Sequence, residues 1–141
     1  MRPERLANAL QRVVYSQTPA EAERLSHEEK ILLDSDEEMR VVFVAEISVI
    51  SAEGNYTRVQ LADGSSSFVR RGITRWDFML PKPFFVRVKR SLIIHLPAVR
   101  KVIAQDGDEV SVEIEGFKER LALGRRASFR LRRALRESSA F

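Results

Sequence analysis

Lys89-Arg90-Ser91 sets two long cations and a hydroxyl side by side, between the apolar runs Phe84 to Val88 and Leu92 to Ile94. Ammonium and guanidinium groups neutralise phosphate or carboxylate oxygens, and a hydroxyl adds a further hydrogen bond. Apolar residues on both sides would hold such a loop in place, so its charge is presented with little ordering cost. The same residues on a plain solvated edge strand would only blunt edge-to-edge pairing. Charge elsewhere favours the first reading. The net charge is a modest +4, yet Met79 to Gln105 contains no acid and carries Lys82, Arg87, Lys89, Arg90, Arg100 and Lys101. A second basic window holds Lys118, Arg120, Arg125, Arg126, Arg130, Arg132, Arg133 and Arg136 against Glu115 and Glu119, whereas acids dominate from Glu21 to Glu38. Two basic windows on one small domain point to a polyanionic partner.

Other chemistries find no residues to carry them. The two histidines, His27 and His95, stand without any cysteine, and no acid lies beside His95, so zinc-ligand spacing is absent. His95 reads as a strand-end residue with a hydrogen-bonding role. Each glycine is isolated at a turn, so none builds a phosphate-cradling loop. Nothing marks a nucleophile with its base or a carboxylate pair, so neither an enzyme nor a cofactor is expected. No apolar run approaches the roughly 20 residues that span a bilayer. The start Met1-Arg2-Pro3-Glu4-Arg5 lacks the apolar core of a secretory signal, so a cytoplasmic location is expected.

The elements that must position the cations are mainly strands. Pro3 to about Tyr15 predicts an amphipathic helix with Leu6, Leu10, Val13 and Val14 on one face, and Thr18-Pro19-Ala20-Glu21 caps a second short helical stretch to about Ser26. From Lys30 the period becomes extended. Strands are expected at Ile31–Leu33, Arg40–Val44, Ile47–Ser51, Tyr56–Leu61 and Ser66–Arg71, with Thr57, Val59 and Leu61 on one face of the fourth. Ile73 to Leu80 reads as the one helix inside the β region, with Trp76 and Phe78 packing on the sheet. In the Phe84–Val88 strand, alternation turns Phe84, Val86 and Val88 inward and Arg87 and Lys89 outward. Val99–Ala104, Glu109–Ile114 and Lys118–Leu123 follow as strands, and Arg125 to about Arg136 reads as a basic helix contacting the domain through Phe129, Leu131 and Leu135.

In that order stand Ile50-Ser51-Ala52-Glu53-Gly54-Asn55-Tyr56-Thr57-Arg58-Val59, then Val69-Arg70-Arg71, Leu80-Pro81, Phe84 to Ile94, and finally Leu121-Ala122-Leu123-Gly124-Arg125-Arg126. This succession resembles the LytTR family of bacterial DNA-binding domains over about residues 30 to 130. The resemblance implies an elongated β-β-β arrangement of short antiparallel sheets, with loops entering successive grooves of double-stranded DNA. It also implies the output half of a two-component response regulator, a transcriptional regulator that pairs on DNA as a dimer. Carried over position by position, DNA contacts fall on Asn55, Tyr56, Thr57, Lys89, Arg90, Arg125 and Arg126, and a phosphate contact is open to Arg70 and Arg71. Arginine can bridge guanine, asparagine can pair with adenine, and lysine can hold phosphate, so the residue types agree in kind. Three positions depart from the family pattern: Lys89 where histidine is usual, His95 where asparagine is common, and Gly124 in place of a frequent serine.

The division expected is an N-terminal helical segment or linker at residues 1–29 and a DNA-binding domain at 30–141. Residues 2–13 resemble the last helix of a receiver domain, so the chain is expected to be the DNA-binding part of a longer regulator and monomeric by itself. A different class stays open at this stage: a basic interaction module for an acidic protein or single-stranded RNA, the latter calling for several exposed aromatics on one sheet face.

Overall fold

The computed structural model describes residues 25–138. The expected helix from Pro3 lies outside the described residues, as does most of the stretch from Thr18; its last two residues, Leu25 and Ser26, are not helical. Ten strands, all paired antiparallel, form three sheets: β1 (Lys30–Asp34) with β2 (Met39–Phe43); β5–β4–β3–β7–β6; and β10–β9–β8. The central sheet comprises β3 (Ile47–Glu53), β4 (Tyr56–Leu61), β5 (Ser66–Val69), β6 (Phe85–Lys89) and β7 (Leu92–His95). The last sheet comprises β8 (Val99–Ala104), β9 (Val110–Ile114) and β10 (Leu121–Leu123). Two α-helices complete the described residues, α1 (Ile73–Met79) inside the β region and α2 (Arg125–Glu137) after it. The basic tail is thus a second helix beside the one inside the β region.

The central sheet is covered on both faces, which explains why β7 is apolar without alternation. Ile93 joins Ile50, Val59 and Trp76 in one core, while Leu92 and Ile94 join Val49, Val88 and Leu131 in the other. The hairpin β1–β2 and α1 close the first core; the β8–β10 sheet and α2 close the second. Trp76 is fully buried and donates its indole N–H to Thr57 Oγ1 at 2.8 Å. Phe78, expected against the sheet, is instead 38% exposed, because the buried side of α1 is taken by Ile73, Trp76 and Met79.

A β-bulge shifts the register of β6 against β7 between Arg87 and Lys89. Val86 and Val88 share the second core, as their alternation predicts, while Arg87 on the opposite face reaches Thr74 and Asp77 of α1. Phe84 is the exception: it packs with Phe85 against the first core, which corrects the expectation that it shares a face with Val86 and Val88. On α2, Leu131 is fully buried and Phe129 is 64% exposed, so Phe129 does not hold the helix to the domain.

Beside the second core, the β8–β10 sheet also meets the central sheet at Gly116. It adopts φ +92°, and a Cβ there would lie 2.2 Å from the carbonyl oxygen of Leu61. Gln60 Nε2 donates to the Gly116 carbonyl at 3.1 Å across the same junction.

Candidate nucleic-acid interface

Two hairpin tips and the end of a third strand come together at one end of the central sheet. In β3–β4, Glu53 pairs with Tyr56 and the tip is Gly54-Asn55, with Gly54 supplying the positive φ of 63° that a two-residue reversal needs. In β6–β7, Lys89 pairs with Leu92 and the tip is Arg90-Ser91. Because β3 also pairs with β7, Ser51 opposite Leu92, the two tips are neighbours, and the backbone N–H of Ala52 donates to the Ser91 carbonyl at 2.9 Å. Strand β5 ends beside them, Val69 opposite Thr57, and delivers Arg70. Asn55, Lys89, Arg90, Ser91 and Arg70 are all exposed there.

The tips are braced from behind. Arg87 donates to the Arg90 carbonyl from Nε at 3.2 Å and from Nη2 at 2.7 Å, and its Nη1 reaches Thr74 Oγ1 at 3.3 Å and lies 3.8 Å from Asp77. One planar cation thus fixes the backbone that carries the Arg90 side chain. Tyr56 donates its hydroxyl to Asp36 at 2.9 Å and accepts from Arg70 Nε at 3.0 Å, while the Arg70 guanidinium lies 5.4 Å from its ring centre. Arg71 leans on the Trp76 ring at 4.7 Å.

Thr57 sits differently from its neighbours. It is fully buried, accepts the Trp76 indole N–H and donates to the Val69 carbonyl at 3.5 Å. Its side chain is occupied inside the core, so it positions Tyr56 and Asn55 and presents no group to a partner. His95 is likewise interior, 3% exposed, with its Nε2 2.7 Å from Nε2 of His27 and its ring stacked on Phe85 at 4.4 Å. Burial, and then the neighbouring His27, lower its pKa to about 4. His95 is therefore a hydrogen-bonded strand-end residue, as expected, and is turned away from the exposed edge.

Arg125 and Arg126 come from another element, the first turn of α2, where β10 ends with Leu123 opposite Val110. Both are exposed, and Arg125 Nε lies 3.5 Å from Asp108 in the β8–β9 turn. Gly124 offers no capping side chain, but Ser128 Oγ donates to the Leu123 carbonyl at 3.2 Å and holds the helix start. Further along, Arg130 Nη1 reaches the Val88 carbonyl at 3.5 Å and ties α2 to β6.

The structure therefore gathers Asn55, Tyr56, Lys89 and Arg90 at one edge, places Arg125 and Arg126 on α2, and withdraws Thr57. Arg87 and Asp36 belong to the edge but were not singled out as site residues. Arg87 was legible as an outward strand residue without its downstream partner, and Asp36 lies 20 residues from Tyr56 in a turn with no local signal. Among the described residues, no group of three or more His, Cys, Asp or Glu could hold a metal ion, and no helix is long and apolar enough to cross a membrane.

Comparison with known proteins agrees with this arrangement. The model of the LytTr DNA-binding domain family matches residues 37–136. Among solved structures, the LytTr DNA-binding domain of a Bacillus cereus protein, named as a methyl-accepting/DNA response regulator, superimposes with a TM-score of 0.65. It is 16% identical, over 75% of this chain and 95% of that one. No curated protein matches.

Proposed function

Since the chain belongs to the LytTR family of DNA-binding domains, we propose that it reads double-stranded DNA with loop tips instead of a recognition helix. In this reading the Gly54-Asn55 and Arg90-Ser91 tips enter one groove together, and the first turn of α2 enters another. The observation that carries it is the backbone bond between Ala52 and Ser91, which makes the two tips one surface. Asn55 and Arg90 supply base-directed hydrogen bonds there, and Lys89 and Arg70 supply charge toward phosphates. Tyr56 acts through its hold on Arg70, and Thr57 acts only as a support. Arg125 reads bases from α2, and Arg126 holds the adjacent backbone.

The domain serves as the output half of a bacterial two-component regulator of transcription, located in the cytoplasm. A receiver domain upstream receives the phosphoryl signal, and the chain by itself is monomeric and pairs on adjacent DNA sites. The competing reading, a stacking module for single-stranded RNA, calls for several exposed aromatics on one sheet face. In the central sheet the exposed ring is Phe68, with Arg58 lying 5.7 Å from its centre.

Titration of variants against a duplex selected from a random pool, and against its scramble, tests the proposal at one fixed salt concentration. Arg90→Ala and Arg125→Ala are expected to weaken the selected duplex by about 1 to 3 kcal/mol more than the scramble. Lys101→Ala, on an exposed position of β8, is expected to weaken both slightly and alike. An unchanged ratio for both arginine variants would remove them as readers.

A further inference from the structure

The chain enters the domain through a short turn ahead of β1 that is fastened at several points. Leu25 is buried in the first core, and its backbone N–H donates to the Met79 carbonyl at the end of α1 at 2.9 Å. The Ser26 N–H donates to Glu29 Oε1 at 2.7 Å, and the Glu29 carbonyl accepts from the Val44 N–H at 2.8 Å. Between these ties the half-buried His27 lays its ring on Phe84, with 4.0 Å between ring centres and 15° between planes. The ring centres of His27 and His95 are 4.9 Å apart while their Nε2 atoms are 2.7 Å apart, so the two nitrogens meet nearly head on.

That contact admits one arrangement of protons. Nδ1 of His95 is buried and has no partner, and an orphaned N–H inside a protein is tolerated less than an unfilled acceptor. The His95 proton therefore sits on Nε2 and is donated to the Nε2 lone pair of His27, which keeps its own proton on Nδ1. A second proton on His27 removes the accepting lone pair and sets two N–H groups against each other. Passing the His95 proton to Nδ1 would restore a bond only by burying that N–H without an acceptor. Of the charges nearby, Glu28 favours the charged form of His27 but acts against a larger effect of burial, and at His95 burial and then His27 disfavour it. Glu29 is engaged with Ser26, Lys30 lies over Phe43, and Asp77, which shares a cleft with Leu25, is paired with Lys82.

We propose that His27 and His95 form a proton-operated latch: with both rings neutral it fastens residues 25–28 to the domain, and a proton on His27 releases them while the sheets stay folded. Side chains alone make the latch, so opening it leaves β7 paired with β3 and β6. Its place gives release a direction. His95 is the last residue of β7, and Leu92, the first, follows the Arg90-Ser91 tip. The entering chain is therefore fastened at the end of β7 remote from that tip, and acid loosens the tie between the domain and residues 1–24. The latch involves no DNA, so its test succeeds or fails apart from the proposed groove reading.

Backbone order parameters of the full-length protein, from nitrogen relaxation, test the latch without any change of sequence. At about pH 7.5 those of Leu25, His27 and Glu28 are expected to match the rigid ~0.85 of Ile50 and Ile93, and at about pH 5 to fall below ~0.6 while Ile50 and Ile93 hold their values. Ring nitrogen shifts should place the His95 proton on Nε2 at the higher pH, and the fall in order should follow the protonation of His27. His27→Phe keeps a ring on Phe84 but has no nitrogen to protonate, and its partly exposed position spares the fold. Its residues 25–28 should show the same order at both pH values. Parent order parameters that ignore pH, an equal fall in His27→Phe, or a His95 proton found on Nδ1 would each overturn the proposal. So would a loss of order at Ile50 and Ile93 in step with Leu25, since acid would then be unfolding the domain as a whole.

Discussion

At the hairpin end, the side chains proposed to meet DNA are few, and each rests on something already ordered; on α2 the cations are many and spread along the helix. Arg90 projects from a carbonyl held twice by Arg87, and Asn55 from a turn whose partner strand bonds to Ser91. Arg125 and Arg133 have single exposed carboxylate partners, Asp108 and Glu137, in pairs of the kind that contribute at most about 1 kcal/mol. The backbone beneath the tips is thus braced in the free protein. Long cations lose rotamer freedom on binding in both regions. Geometry suits the hairpin end to discrimination and, beyond Arg125 in its first turn, α2 to attraction.

The largest test of this division strains the contact between the central sheet and the β8–β10 sheet that precedes α2. Gly116→Ala would place a methyl group on the Leu61 carbonyl at a φ that alanine rarely adopts. It is expected to cost about 3 kcal/mol or more in denaturant unfolding. If the first region keeps its own order, hydrogen exchange at Ala52 and Leu92 should stay slow while that of β8–β10 accelerates.

Acid should then act on the hairpin half. Because the folded pKa of His95 lies near 4, below the ordinary 6.5, the unfolded chain takes up the proton first as pH falls. Stability is full above about pH 6.5 and declines toward pH 4, by up to about 3 kcal/mol. His27 is also lowered, by burial and against the nearby Glu28, so it acts in the same direction. Unfolding midpoints across this range should follow that slope in the parent chain and flatten in His95→Phe.

Smaller changes sharpen the distinction between support and contact. Thr57→Val leaves the buried Trp76 N–H without its acceptor, and a loss of about 2 kcal/mol in stability is expected. Affinity for duplex DNA, measured where the variant is folded, should not change. Arg87→Ala should do the reverse. It releases the Arg90 carbonyl, so the selected duplex should bind about five- to tenfold more weakly, roughly 1 kcal/mol, while the unfolding midpoint shifts little.

The strands and most of their turns were legible because short apolar runs separated by polar turn residues, several of them single glycines, leave few other options. Thr57 was legible too: the alternation that places it with Val59 and Leu61 already faces it inward, although family position suggested a contact. The β6 bulge was not legible, since a register shift is set by the pairing with β7 and not by any run of residues within the strand. Nor was the outward turn of Phe129, because helix spacing shows which residues share a face but leaves open which face the domain covers. For the edge itself, sequence indicated Asn55, Lys89 and Arg90; the partners Asp36 and Arg87 depend on long-range folding.

The bond between Ala52 and Ser91 joins backbone to backbone, and it is indifferent to the side chains at the tips it unites. Neither Asn55 nor Arg90 contributes to either core. Mutational drift at these tips therefore escapes most of the selection that folding imposes on the strands beneath. A lineage could acquire a new binding site through a handful of tip substitutions, and a laboratory library randomised at Asn55, Lys89, Arg90 and Ser91 should yield mostly folded proteins with altered preferences.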